Sequence, residues 1–466
     1  MKRREFLKYA AGGLSALVVG NSMPWLLESE VFAAVPAQTL NFTITDAIKD
    51  MATNNDINAA QCYFWIYKDT RAVNPLPAES PGPMIFVKQG DTIEITIKNA
   101  LDEPHNFVVP GMFDSGAIAP GATVTKSFVV RKTGTFLYQD TLNRPVNRVM
   151  GLHGAFIVMP AVLTGTPAQR VTPYRTPTPA VQQLFNDLGS TAWWPGLPWE
   201  LGDTATDTPA FRQYIWLLHQ ASPNLFAEVG NFTAGLDYPA DQFRKKFLDE
   251  RFDRNAPDRA NSVPQYFTIS GQSGHFSHNN PFLCPNNRVG EPVLIRILNA
   301  GLWTHSMHIH ANHVYVTSIN GVVQDNPLWV DVFTINPQDT IDWLNPYMRP
   351  PDVPNVTGVG RADTPLVSLH GQPVWPPNEE INTRIPDGLF AGAIDLSVQL
   401  SPLCYPMHDH SEPSQTSQGG NYNMGMISGM NFTGDRNTAG GVTTFPNAPL
   451  VHGPGPLGVF PPSSGV

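Results

Sequence analysis

Two stretches of the chain repeat one pattern, and few folds accommodate it. The first is Gly82-Pro83-Met84-Ile85-Phe86-Val87-Lys88-Gln89-Gly90-Asp91 running into Thr92-Ile93-Glu94-Ile95-Thr96-Ile97-Lys98-Asn99. The second is Gly290-Glu291-Pro292-Val293-Leu294-Ile295-Arg296-Ile297-Leu298-Asn299-Ala300-Gly301. Branched apolar residues alternating with polar ones describe a half-buried strand, one face in a core and the other in water. Each stretch is followed by a histidine-bearing segment, a Gly/Pro turn and further strand patterns. These are Val124 to Arg131 and Gly154 to Met159 in the first half, and Val330 to Leu344 and Met424 to Phe432 in the second. The pattern predicts an internal duplication of an antiparallel sandwich.

Composition agrees. With 45 Pro, 38 Gly and only 15% charged residues in 466, the chain favours turns and strands over long helices. Asp237 to Arg254 is the best helical candidate. Hydrophobic residues at 41% suffice for packed cores. The expected architecture is all-β, with tandem Greek-key sandwiches and long proline-rich connections: a first domain over 35–163, a Pro/Trp-rich linker or packed arm over 164–209, an enlarged second domain over 210–450 and a flexible tail over 451–466. Residues 350–377 form a further proline-rich loop.

Residues 1–34 read as an export leader. Lys2-Arg3-Arg4-Glu5-Phe6-Leu7-Lys8 precedes an apolar run from Tyr9 to Gly20 and small residues at Ala33-Ala34, which looks like a twin-arginine signal. The apolar run is shorter than the roughly 20 residues a spanning helix needs, so no membrane span is expected in the mature form, and the expected location is periplasmic or otherwise exported. Net charge is -10 and no basic stripe follows the leader, which argues against nucleic acid as a partner. Three cysteines are too few for a disulfide scaffold, although an oxidising compartment permits one bridge, with Cys284 and Cys404 the candidate pair.

The chemical signal lies in histidine. Nine of the 13 fall between His275 and His410, and six of those sit in or beside two motifs, His305-Ser306-Met307-His308-Ile309-His310 with His313 close behind, and His408-Asp409-His410. In a strand, residues two apart share a face, so His308 with His310 and His408 with His410 each present a pair of imidazoles. Two such pairs on neighbouring strands can surround a metal, and imidazole suits Zn, Cu, Ni and Fe alike.

At this point the sequence resembles the multicopper oxidases over roughly residues 80–160 and 265–432. Gly134-Thr135-Phe136-Leu137-Tyr138 running to Gly151-Leu152-His153-Gly154-Ala155-Phe156-Ile157-Val158 matches, as do the family's His-x-x-His-x-His at His305, His308 and His310 and its His-Cys-His at His408-Asp409-His410. The resemblance implies tandem cupredoxin-like sandwiches, copper as cofactor and dioxygen with a small-molecule reductant or an electron-donor protein as partners. It implies copper ligands His105, His308, His310, His408 and His410, with His305, Asp409 and His153 as candidates for supporting them. Since His105 belongs to the first domain, a domain interface is expected to complete the site. A homotrimer is one way to build that interface, and a monomer with an intrachain interface is the other.

The departures are equally specific. The family's type 1 copper cysteine is Asp409 here, the histidine expected about five residues on is Ser414, and Phe107, Gln139 and Thr141 occupy further histidine positions. Without His2Cys ligation no blue centre is expected. Asp409 either hydrogen-bonds an imidazole or simply faces the opposite side of its strand. Met407, Met424, Met426 and Met430 offer thioethers or fill a core, and the polar loop Ser411 to Met426 reads as a lid or a plain connection. Three readings stand: a copper-dependent oxidoreductase with a reduced, mono- or dinuclear site; a periplasmic copper-binding or tolerance protein without turnover; and a metal-free scaffold.

Overall fold

A computed structural model of the protein describes residues 38–51, 60–70, 81–160, 172–191, 194–195, 212–252, 265–280, 283–288, 293–347, 403–416 and 425–434. The expected leader (1–34), the loop 350–377, the tail 451–466, His370, Met424 and His452 lie outside these residues.

The first half contains β1 (Gln38–Met51), β2 (Ala60–Asp69), β3 (Ile85–Lys88), β4 (Thr92–Asn99), β5 (Val108–Val109), β6 (Phe113–Asp114), β7 (Thr123–Val129), β8 (Gly134–Gln139) and β9 (His153–Met159). They form two sheets, β2-β1-β4-β7 and β3-β9-β8-β5-β6. A two-stranded hairpin, β10 (Ser190–Thr191) with β11 (Trp194–Pro195), follows. The second half contains β12 (Arg212–Ala221), β13 (Tyr266–Ile269), β14 (Asn286–Arg288), β15 (Val293–Asn299), β16 (His305–Ile309), β17 (Val314–Ile319), β18 (Val322–Val330), β19 (Val332–Ile335), β20 (Thr340–Asn345), β21 (Leu403–Asp409) and β22 (Ile427–Gly434). Its sheets are β13-β12-β15-β20-β17-β18 and β14-β22-β21-β16-β19.

All nine strands of the first half have a counterpart in the second, which adds β17 and β18 at one sheet edge. The parallel pair β1/β4 recurs as β12/β15, and the parallel pair β3/β9 as β14/β22. Even the turn chemistry repeats. Asn99 Nδ2 donates to the carbonyls of Glu103 and Ile118 at 2.7 and 2.9 Å, and Asn299 Nδ2 to those of Trp303 and Ile335 at 2.7 and 3.1 Å. Long helices are absent among the described residues; the helical candidate forms at Ala240–Phe252.

Three cores stack between four layers. Ile93, Ile95, Ile97, Phe107 and Phe156 belong to the core of the first sandwich, and Trp216, Ile295, Ile297, Ile341 and Trp343 to that of the second. Between them Met84, Phe86, Leu137, Ile157 and Met159 meet Ile215, Leu217, Leu294, Leu298 and Leu344. Sheet β3-β9-β8 and sheet β12-β15-β20 are therefore covered on both faces, so β9, β15 and β20 are buried at every residue. Tyr174, Val181 and Phe185 join this middle core.

The charged Arg296 and Asp342 of the middle layer are paired, as burial requires. Arg296 Nη1 donates to Thr135 Oγ1 at 2.7 Å, Thr135 donates to Asp342 Oδ1 at 2.6 Å, and Tyr174 OH donates to Asp342 Oδ2 at 2.9 Å. Arg148 of the first sandwich reaches the carbonyls of Ala300 and Gly301 at 3.0 and 3.2 Å. The expected Cys284–Cys404 bridge is not formed: both are thiols, Cys284 buried and Cys404 exposed.

Candidate metal centre

Period-two geometry sorts the residues of β16 and β21. Met307, Ile309 and Met407 point into the core of the second sandwich, so His308, His310, His408 and His410 share the opposite face of the sheet. The antiparallel register sets His308 directly across from His408. Ring centroids lie 4.9 Å apart for His308/His310, 5.5 Å for His308/His408, 4.6 Å for His308/His410, 4.9 Å for His310/His408 and 5.3 Å for His408/His410. Ligand nitrogens of His308, His408 and His410 all lie within 4.8 Å of one another. His310 Nε2 lies 2.8 Å from His408 Nε2.

Carbonyl groups orient two of these rings. His308 Nδ1–H donates to the Asp331 carbonyl at 2.9 Å, and His408 Nδ1–H to the Asp409 carbonyl at 3.0 Å. Each ring therefore turns its Nε2 lone pair into the cluster, the tautomer a metal ligand needs. Burial lowers the pKa of His308, and the neighbouring His410 and His310 push the same way against the Asp331 carbonyl. Burial together with His408 and His410 lowers that of His310. Both are held neutral at pH 7, as ligation requires. His408 is buried, His308 and His310 are half-buried and His410 is exposed, so the cluster opens to solvent on one side.

On the inner face of the same strands, the three residues at the family's type 1 positions meet as a hydrogen-bonded network. His305 Nδ1–H donates to Asp409 Oδ2 at 2.6 Å, the Ser306 backbone N–H donates to Oδ1 at 2.6 Å, and Ser414 Oγ donates to Asp409. Leu302 N–H donates to Gln220 Oε1 at 2.8 Å, which turns the Gln220 amide N–H toward His305 Nε2 at 2.8 Å. Every polar atom of the His305 ring is thus satisfied. Burial would raise the Asp409 pKa, but the hydrogen bonds from His305, Ser414 and Ser306 prevail and lower it. Asp409 therefore faces away from the four-histidine cluster and orients His305 instead.

His105 is the first sandwich's copy of His305. It lies six residues past Asn99, as His305 lies six past Asn299, and its Nδ1 donates to Asp140 Oδ2 at 2.8 Å while Asn106 N–H donates to the same carboxylate at 3.1 Å. Fully buried and edge-on to Trp65 at 5.2 Å, it is not part of the cluster. Burial would lower its pKa, yet the hydrogen bonds to Asp140 and Glu103 raise it. The four clustered imidazoles all come from the second sandwich, so the expected interface with the first domain does not assemble them. His153 packs on His219 at 4.5 Å in the middle of the molecule, with Nδ1–H donated to the Arg148 carbonyl at 2.7 Å.

The replaced histidine positions have ordinary structural partners. Phe107 stacks on Tyr138 at 4.7 Å, Gln139 meets Arg148 at 3.4 Å and Gln338 at 3.2 Å, and Thr141 is bridged to Asn106. Met407, Met426 and Met430 fill the second core. Part of the polar loop is a short helix, Glu412–Thr416, whose Ser414 and Gln415 are buried; residues 417–424 lie outside the described ones. Asp331, Gln220 and Asp140 escape sequence reasoning, since Asp331 acts through its backbone carbonyl and the other two lie 35 or more residues from the histidine they orient.

A family model described as "Multicopper oxidase" matches residues 65–162. The chain is 23% identical over 291 residues to a copper resistance protein A homolog of Pseudomonas syringae pv. tomato, covering 53% of this chain and 46% of that protein. It is 26% identical over 168 residues to copper resistance protein A of Escherichia coli, covering 34% and 25% respectively. The chain thus spans less than half the length of these relatives. A blue copper oxidase from Nitrosomonas europaea has a similar fold, with a TM-score of 0.50 at 16% identity over 85% of this chain and 86% of that one. No described helix is long and apolar enough to cross a membrane. The segment similar to the multicopper oxidases runs from β2 to just past β9, and the second sandwich repeats its topology with β17 and β18 added.

Proposed function

We propose that the protein is an exported copper-dependent oxidoreductase of multicopper-oxidase type, its copper held in a mono- or dinuclear site by His308, His310, His408 and His410, without a blue centre. The observation that carries this reading is the convergence of four imidazoles, two of them with Nδ1–H tied to carbonyls and Nε2 turned inward. A donor set of imidazoles alone suits copper among other metals, and the copper named in the relatives' descriptions favours it here. Copper held there would supply a one-electron couple for chemistry with dioxygen.

The chain's own groups do the rest. The carbonyls of Asp331 and Asp409 hold two rings in the ligating tautomer, burial keeps His308 and His310 unprotonated, and the exposed His410 side admits a small molecule. His305, Asp409 and Ser414 are occupied with one another, so the type 1 position holds no relay and electrons would have to come directly from a small-molecule reductant. That same network supports a second reading, a copper-tolerance protein that binds the metal without turnover.

Metal analysis and electron paramagnetic resonance on wild type, His308→Ala and His408→Ala test the site. A type 2 copper signal without a blue band is expected in wild type and its loss in both variants. Unchanged metal content in both would overturn the reading. Oxygen uptake with a phenolic or metal-ion reductant separates the oxidoreductase from the tolerance protein.

A further inference from the structure

We propose that Asp409 is a positioning residue of the metal centre: its carboxylate, by bonding the Ser306 backbone, fixes where β21 ends and so where the exposed ligand His410 stands. The inference rests on the four-histidine site as the copper centre and adds a residue that touches neither metal nor substrate. His410 is the ligand with least support of its own. Its ring is exposed, lies 4.6 and 5.3 Å from the rings of His308 and His408, and makes no hydrogen bond among the described residues. Its position is therefore set by its backbone.

Met307 pairs with Asp409 and His308 with His408, and the same antiparallel register sets Ser306 opposite His410. A hydrogen-bonded pair in such a ladder exchanges two backbone bonds. Only one forms here: His410 N–H donates to the Ser306 carbonyl at 2.9 Å, while Ser306 N–H turns to Asp409 Oδ1 at 2.6 Å. The carboxylate has taken the place of the His410 carbonyl, which ends the ladder and lets the chain leave the sheet for the helix Glu412–Thr416. The far side of His410 is tied to the same group. The Ser411 carbonyl accepts Ser414 N–H at 2.9 Å, and Ser414 Oγ donates to Asp409. His305 Nδ1–H holds the carboxylate in turn at 2.6 Å, so both neighbours of the ligand hang on one buried acid.

The first sandwich repeats this clasp without a ligand. Asp140 accepts His105 Nδ1–H at 2.8 Å and Asn106 N–H at 3.1 Å. The pairing of Val108 with Gln139 sets Asn106 opposite Thr141, as Ser306 lies opposite His410. Gln139 and Thr141 thus stand where the second sandwich has His408 and His410. Cutting this copy removes the same bonds with no metal ligand attached, which makes it the internal control for a purely structural role.

The test is a double-mutant cycle on the full-length protein. Its readouts are Cu(II) affinity by chelator competition, imidazole couplings in the electron spin echo and, in metal-free protein, deuterium exchange of the His410 N–H. Asp409→Ala should weaken copper binding about 10- to 100-fold and remove the same imidazole coupling as His410→Ala. It should also speed exchange at His410 about ten-fold. In a His410→Ala background it should weaken copper binding no further. Asp409→Ser, whose hydroxyl is too short to hold His305 and Ser306 together, carries the same expectation should the alanine variant fail to fold. Asp409→Asn, whose oxygen still accepts Ser306 N–H, should restore most of the affinity. Asp140→Ala should lower the melting temperature and leave copper affinity unchanged. The proposal is overturned if Asp409→Ala and Asp409→Ser bind copper like wild type, if Asp409→Ala weakens binding equally with and without His410, or if Asp140→Ala weakens it as much. Wild-type protein that takes up no copper would defeat the copper site itself, and the clasp then falls separately if His410 exchanges at the same rate with and without the Asp409 carboxylate.

Discussion

Acid should loosen the molecule first where the two sandwiches meet. His153 on β9 and His219 on β12 face each other there with ring centroids 4.5 Å apart, both fully enclosed, and each spends its N–H on a carbonyl of the 148–149 turn. Burial lowers the His153 pKa from 6.5 to about 4, with the Arg148 charge adding to it against the Arg148 carbonyl. Burial and then His153 itself lower that of His219 further. Below pH 6.5 the unfolded chain takes up protons that the folded one refuses. The stability is therefore fully present above pH 6.5 and is lost as pH falls toward 4. Each tenfold difference in proton affinity between the folded and unfolded chain is worth about 1.36 kcal/mol, so His153 alone withdraws about 2.5 kcal/mol between pH 7.5 and 4.5. Urea unfolding at pH 7.5, 5.5 and 4.5 with copper chelated, for wild type and His153→Asn, isolates this contribution. Asn keeps a donor for the Arg148 carbonyl and cannot titrate, so the variant should lose about 2.5 kcal/mol less over that interval. Parallel losses in the two proteins would refute the assignment of the acid sensitivity to this ring.

Copper at a free concentration of one hundred times its Kd should raise unfolding stability by about 2.7 kcal/mol, seen as a chelator-reversible rise in melting temperature in wild type and not in His308→Ala. Gly154→Ala would place a Cβ 2.2 Å from the Tyr138 ring, whose hydroxyl is anchored to the Pro83 carbonyl. A loss of about 3 kcal/mol or more is expected by denaturant unfolding. Arg296→Met should cost about 3–5 kcal/mol by leaving Asp342 buried without its cation, and adding Asp342→Leu should return part of that in a double-mutant cycle.

Alternation in sequence identifies a strand but not how many faces it buries. Thr92–Asn99 alternates and is half-buried as expected. Val293–Asn299 carries Arg296 at a position that reads as solvent-facing, yet that side chain is fully buried. Its partners, Thr135 and Asp342, lie 161 and 46 residues away, and no local pattern announces them. The four clustered histidines were legible because spacing by two fixes a shared face and needs no knowledge of tertiary contacts. His105 was misleading for the opposite reason: its resemblance to a ligand motif is local, whereas its role is set by Asp140, 35 residues on. The one local signal was the equal offset of His105 from Asn99 and of His305 from Asn299. The Cys284–Cys404 bridge failed because spacing along the chain carries no information about sulfur geometry.

If the His305–Asp409–Ser414 network is a metal site rebuilt from hydrogen bonds, the reverse substitution should be accepted. Asp409 touches both His305 Nδ1 and Ser414 Oγ, so those three positions already converge within hydrogen-bonding distance of one carboxylate. Asp409→Cys with Ser414→His would put one thiolate and two imidazoles at that point, the His2Cys set of blue copper. Copper at Nδ1 requires the His305 proton on Nε2, so the Gln220 amide, which now donates to Nε2, has to turn its oxygen from Leu302 N–H to accept that proton. Added Cu(II) should then give an intense visible thiolate-to-copper band, and the single variant Asp409→Cys a weaker one. The band should vanish with His305→Ala in the same background. A colourless, copper-loaded double variant that retains the wild-type melting temperature would mean that these residues meet only as hydrogen-bond partners, and that the inner face of β16 and β21 has no room for an ion.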